Sequence, residues 1–142
     1  MLLDANLLLY SVDRRSPSFE AASRWLEDVL NGVQRVGVPW QTIGAFLRIS
    51  THPRVSANPL SGERAWTFVR SWLSCDPVWI PPATERTAAV LERLVRDTPA
   101  TGNLVTDAQL AALAIEHGLV LCSADTDFAR FAGLRWRNPL AS

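Results

Sequence analysis

An α/β fold around a mainly parallel sheet is predicted by two observations. Short apolar runs alternate with amphipathic stretches of helical period along the chain. Ser, Thr, Pro and Gly punctuate those stretches where helices start and stop. The 142 residues suit one core, and no repeat, low-complexity segment or linker divides them. Residues 1–142 therefore read as a single domain.

The elements follow in order. Met1-Leu3 reads as a short buried strand. Ser16 as N-cap and Pro17 at the first helical position start a helix. Phe19, Ala22, Leu26, Val29 and Leu30 give it an apolar face, and Asn31-Gly32 ends it. Arg35–Pro39 is a strand. Trp40–Thr51 is a helix with Trp40, Ile43 and Leu47 on one face, stopped by His52-Pro53. After a loop over Val55–Leu60, Ser61 caps a helix striped by Ala65, Phe68, Val69, Trp72 and Leu73. Val78–Ile80 is a strand. Thr84 caps the next helix, with Ala88, Leu91, Leu94 and Val95 inward. Leu104–His117 is a helix ended by Gly118. Leu119–Cys122 is a buried strand, Asp125–Phe131 a short helix and Leu134–Trp136 a last strand.

Composition narrows the function. The chain is 48% hydrophobic and 20% charged, with 14 cationic residues against 14 acids. Zero net charge argues against broad nonspecific nucleic-acid binding. Every cationic residue is Arg; with no Lys in the sequence, mechanisms that need a catalytic lysine are excluded. Two cysteines, Cys75 and Cys122, point to a reduced, cytoplasmic protein. The apolar opening MLLDANLLLYSV has no basic flank, is broken by Asp4 and lacks a cleavage motif, so it is not expected to be a signal peptide. No stretch reaches the roughly 20 apolar residues of a membrane span.

Four aspartates stand out. Asp4 follows the first strand, Asp125 and Asp127 follow the strand ending at Cys122, and Asp107 falls in the first turn of its helix. In open α/β sheets ligands bind beyond the carboxyl ends of strands, so Asp4, Asp107 and Asp125 are expected to converge there. Clustered carboxylates repel, and a divalent cation removes the conflict. With oxygen donors and no His or Cys nearby, Mg²⁺ or Mn²⁺ is the expected ion. Such an ion orients water and neutralises a phosphodiester, so phosphate-ester hydrolysis is the natural chemistry. Structural roles compete: Asp125 as an N-cap, Asp107 as an ordinary first-turn acid, Asp127 as a cap rather than a further ligand. Asp4, among leucines, needs a partner. Asn6 either fixes Asp4 or caps the next turn, and Thr106 and Ser123 either bond water and carboxylates or serve turns. Arg14, Arg15 and Arg48 are candidate contacts for phosphate.

These motifs resemble a known family. Asp4-x-Asn6, Asn103-Leu104-Val105-Thr106-Asp107-Ala108 and Ser123-x-Asp125-x-Asp127-Phe128, in this order, are similar to those of the PIN-domain ribonucleases, and in particular the VapC toxins of bacterial toxin–antitoxin pairs. The closing Phe131–Leu140 resembles actinobacterial members. The resemblance implies a three-layer α/β/α fold, a Mg²⁺-dependent endoribonuclease acting on tRNA or ribosomal RNA, a homodimer, and a VapB-type antitoxin that blocks the site. It also exposes a departure. Many members carry a glutamate where this chain has Ala45, so the site holds one metal or binds a second weakly. Three other readings stand beside it. An aspartyl-phosphate phosphatase or a receiver domain is disfavoured by Asp-x-Asn and the missing lysine. A catalytically weak PIN scaffold would act as an RNA- or protein-binding module.

Overall fold

The computed structural model describes residues 1–141. Five two-residue strands, β1 (Leu2–Leu3), β2 (Val36–Gly37), β3 (Val78–Trp79), β4 (Leu121–Cys122) and β5 (Trp136–Arg137), form one sheet in the order β3-β2-β1-β4-β5. Every pairing is parallel; Leu2 lies opposite both Gly37 and Leu121. Among the described residues the helices are α1 (Ala5–Val12), α2 (Phe19–Leu30), α3 (Trp40–Ser50), α4 (Gly62–Leu73), α5 (Glu85–Asp97) and α6 (Asn103–Glu116), with a 3₁₀ turn over Thr126–Arg130. None of them is long and apolar enough to cross a membrane.

Strand alternation divides the core in two. Leu3, Val36 and Cys122 face a cluster with Leu7, Leu8, Leu26, Ile43, Phe46 and Trp72 from α1 to α4. Leu2 and Leu121 face the other, with Leu94, Leu110, Leu113 and Phe128. The sheet is thus the middle of three layers, α/β/α. Leu2, Leu3, Leu121 and Cys122 have no exposed surface, which is why these strands read as continuous apolar runs. Gly37 is required by packing: a Cβ there would meet Pro81 Cγ at 2.8 Å, Leu2 Cδ1 at 3.0 Å and the Met1 carbonyl at 3.2 Å. A latch closes the α5–α6 hairpin, where the Thr84 and Thr87 hydroxyls donate to the Glu116 carboxylate. Next to it His117 Nε2 lies 2.9 Å from the Pro82 carbonyl.

Several sequence expectations are corrected. No element is expected between β1 and Ser16, yet Ala5–Val12 is helical, started by the Asp4 side chain accepting from Ala5 N at 2.8 Å. The following helix starts at Phe19, not Pro17. The Ser16 hydroxyl and carbonyl accept from the N–H groups of Ser18 and Phe19, closing a turn over 16–19 instead. Trp40, expected in the core, is 58% exposed. It opens α3 just past the carboxyl end of β2, and Thr42, Ile43 and Phe46 carry the inward face. Ala88 and Val95 are likewise exposed, because only the Leu91–Leu94 side of α5 meets α6. The expected caps at Ser61 and Thr84 are present.

Candidate active site

The strand order places the site. From β1 the chain winds through β2 to β3 on one side, then returns to place β4 and β5 on the other. The crevice between the ends of β1 and β4 is therefore the topological switch point, where open α/β sheets bind ligands. Asp4 leaves β1 there, with its N–H bonded to the Cys122 carbonyl at 3.0 Å. Ser123 to Asp127 leave β4 beside it.

Ser123 is the hub of this crevice and has no exposed surface. Its hydroxyl donates to Asp4 Oδ2 at 2.7 Å and accepts from Asn6 Nδ2 and from the Asp125 N–H, each at 3.0 Å. Its carbonyl accepts from Trp136 Nε1 at 3.0 Å. Asn6 thus reaches Asp4 through Ser123, and its own Oδ1 accepts from Ala124 N at 3.4 Å. Both Asp4 oxygens are engaged, Oδ1 by Ala5 N and Oδ2 by Ser123. Burial pushes the Asp4 carboxyl above the usual carboxylate range; these two bonds oppose that, and the Asp125 charge adds to it.

The other three aspartates form one constellation. Asp107, Asp125 and Asp127 each present a carboxylate oxygen, all within 4.8 Å of one another, and all three side chains are partly exposed. Asp125 does two things at once: Oδ1 caps the 3₁₀ turn by accepting from Asp127 N at 2.9 Å, and its carboxylate joins the trio. Asp107 is pushed up to about 6, first by desolvation and then by the charges of Asp125, Asp4 and Asp127. It lies on the second turn of α6, not the first, because Gly102 at φ +59° starts the helix at Asn103. Its anionic form therefore gains little from the helix terminus, which acts within the first turn. Asp4 stands beside the trio, linked through Ser123 and by charge.

The remaining candidates lie elsewhere. The Thr106 hydroxyl donates to the Asn103 carbonyl within its own turn. Arg14 and Arg15 follow α1, an eight-residue helix that carries them about 12 Å along its axis from Asp4. There they line a groove of about 730 Å³ with Tyr10, Ile49, Val55 and Arg64. Arg48 is exposed in the last turn of α3. Ala45 lies one turn below Thr42 on the same face, and the Thr42 hydroxyl donates to the Leu3 carbonyl at 2.6 Å. The position expected to carry glutamate thus sits on the helix face turned toward β1. The hub role of Ser123 was not legible, since its partners lie up to 119 residues away.

An oxygen-only trio with a fourth carboxylate adjacent suits a hard divalent cation. No His or Cys belongs to it, which disfavours zinc. The mutual repulsion that raises Asp107 is the conflict such an ion relieves.

Comparisons with known proteins agree with this geometry. The model of the PIN domain family matches residues 1–134. Ribonuclease VapC37 of Mycobacterium tuberculosis is 41% identical over 140 residues, covering 99% of this chain and 97% of that protein. The crystal structure of VapBC2 from Rickettsia felis, bound to a promoter DNA fragment, superposes with a TM-score of 0.70 at 15% identity, covering 96% of each chain. VapC20 of M. tuberculosis, described as a sarcin–ricin loop cleaving toxin, superposes with a TM-score of 0.67 at 17% identity, covering 94% of this chain and 98% of that one. With its three-layer fold and its acids at the switch point, the chain belongs to the PIN-domain family, among the VapC proteins.

Proposed function

We propose that this chain is a Mg²⁺- or Mn²⁺-dependent endoribonuclease, the toxin of a type II toxin–antitoxin pair, acting in the cytoplasm as a homodimer until a VapB-type antitoxin occupies its groove. The convergence of Asp107, Asp125 and Asp127 at the switch point, with Asp4 held beside them by Ser123, is the observation that carries this reading. Support also comes from the ribonuclease names of relatives at 41% identity and from a structural neighbour that pairs such a protein with an antitoxin. The neighbour that cleaves the sarcin–ricin loop supports ribosomal RNA as one substrate class, with tRNA as the other.

Asp107, Asp125 and Asp127 would hold the cation, with Asp4 completing the negative wall. When bound, the cation supplies polarisation of a water and of the scissile phosphate. The chain supplies the rest. Ser123 and Ala5 N–H fix the Asp4 carboxylate in one orientation. In the cation-free site Asp107, raised to about 6, is the carboxyl that holds a proton nearest neutral pH, and a bound cation would displace that proton.

Calorimetric titration with MnCl₂, combined with 5′-end sequencing of cellular RNA after induced expression, tests the proposal. Wild type is expected to bind the ion and generate discrete new ends, and Asp107→Asn to lose both. A wild-type protein that binds RNA but neither binds Mn²⁺ nor cuts, with Asp107→Asn retaining the same RNA affinity, would establish the binding-module reading instead.

A further inference from the structure

Among the described residues, one cationic side chain forms an ion pair with the trio. Arg130 Nη2 lies 3.6 Å from Asp127 Oδ1, three residues along the same 3₁₀ turn. The other ion pair found among the described residues, Arg96–Asp97, is at the exposed end of α5 and involves none of the trio. The Arg130 backbone is fixed: the Thr98 hydroxyl donates to its carbonyl at 3.3 Å, Arg93 Nη1 donates to the Ala132 carbonyl at 3.2 Å, and Phe128 is buried beneath. The guanidinium is not fixed. Its side chain is 58% exposed and that of Asp127 46%, so the pair is screened and easily exchanged.

Asp127 is thus claimed twice, by Arg130 and by the cation that the trio suits. Both draw on the negative charge of this one carboxylate. A divalent ion held by Asp107, Asp125 and Asp127 would outcompete one exposed guanidinium and leave it free at the rim of the site. A free guanidinium there presents a planar fork of donors, matched to two oxygens of a phosphate.

We propose that Arg130 is a substrate-positioning residue: it neutralises Asp127 in the cation-free site and turns to the non-bridging phosphate oxygens of RNA once a cation takes Asp127. This rests on the function proposed above. No bond is made or broken by Arg130, which exchanges one anionic partner for another.

Two measurements on wild type, Arg130→Ala and Arg130→Lys test it: calorimetric affinity for MnCl₂ without RNA, and steady-state cleavage of a single-stranded RNA oligonucleotide bearing a fluorophore and quencher. Removing a competing exposed ion pair should tighten Mn²⁺ binding about two- to fivefold in Arg130→Ala. Losing a charged hydrogen-bond donor to phosphate should raise KM about tenfold or more, with kcat changed less. Arg130→Lys keeps the charge without the fork and should fall between on KM. A merely structural role would instead lower the melting temperature and leave Mn²⁺ affinity equal or weaker, and that result overturns the proposal. If wild type binds Mn²⁺ and cuts while Arg130→Ala matches it in both assays, the Arg130 role fails and the nuclease reading stands. Absence of both Mn²⁺ heat and cleavage in wild type removes both.

Discussion

Replacing Ser123 with Ala removes one oxygen and three hydrogen bonds from a position with no exposed surface. The bond to Asp4 Oδ2 is charge-assisted, and a bond of that kind contributes about 1.5–3 kcal/mol. Asn6 Nδ2 and Asp125 N each lose their acceptor, at about 1 kcal/mol apiece. The expected loss is therefore about 3–5 kcal/mol, a large share of the roughly 5–15 kcal/mol of a typical domain. At about 3 °C per kcal/mol for a chain of this size, the melting temperature should fall by about 10–15 °C.

The loss should also depend on pH. Burial raises the folded Asp4 carboxyl above its unfolded value, so the folded state holds the proton more tightly. Stability from this group is then highest at low pH and falls as pH rises through the folded value. The Ser123 hydroxyl bonds the ionised form and limits that fall. Without it the folded value rises further, and the variant's deficit should grow from about pH 4 to about pH 7.5. Urea unfolding of both proteins at the two pH values measures it. A deficit below about 1 kcal/mol, or one equal at both pH values, would refute the assignment of Ser123 as the support of an ionised Asp4.

Other consequences are open to measurement. In EDTA, repulsion and burial at Asp107 destabilise the fold as pH rises from its unfolded value of 3.8 through about 6, so Asp107→Asn should melt about 1–3 °C higher than wild type at about pH 7.5 and no higher at about pH 3.5. Scanning fluorimetry at both pH values reads this, and a lower melting temperature at the higher pH would contradict it. Gly37→Ala forces a Cβ to 2.8 Å from the stiff Pro81 ring and should cost about 1–3 kcal/mol in chemical denaturation; a neutral outcome would mean the β2–β3 edge is slack. Ala45→Glu places a carboxylate one turn below Thr42 on the face toward β1. It should lower the metal-free melting temperature and tighten Mn²⁺ about fivefold or add a second binding step; unchanged calorimetry would show that a glutamate at this position cannot reach the site.

Much of the fold was legible because its signals are local. Caps at Ser61 and Thr84 are read from single residues, and the apolar stripe of α4 from its period. Helix α1 was not legible. Its leucines continue the apolar character of β1, and the residue that starts it, Asp4, is the same residue that reads as a site acid. Trp40 misled because helical period records which face a residue is on, not whether anything lies beyond the end of the helix. In the site, the sequence pointed to convergence at the carboxyl edge but not to its internal division. Asp127 belongs to the close trio, whereas Asp4 is set beside it through Ser123. That division depends on the order β2-β1-β4, which no local pattern encodes.

The strand at the centre of the sheet is the first to be synthesised and its β4 neighbour almost the last. Asp4 and Ser123 are 119 residues apart in sequence. At about 5–20 residues per second, a growing chain carries Asp4 for about 6–24 s before Ser123 exists to hold it. Until then the β1 edge that β4 will cover is open, Asp125 and Asp127 are unmade, and no carboxylate trio can form. A stalled or prematurely terminated product ending before residue 121 therefore lacks Ser123, Asp125 and Asp127 together, and the β1–β4 pairing that completes the crevice closes over nearly the whole chain. The order in which the ribosome delivers the strands sets when a finished site first appears.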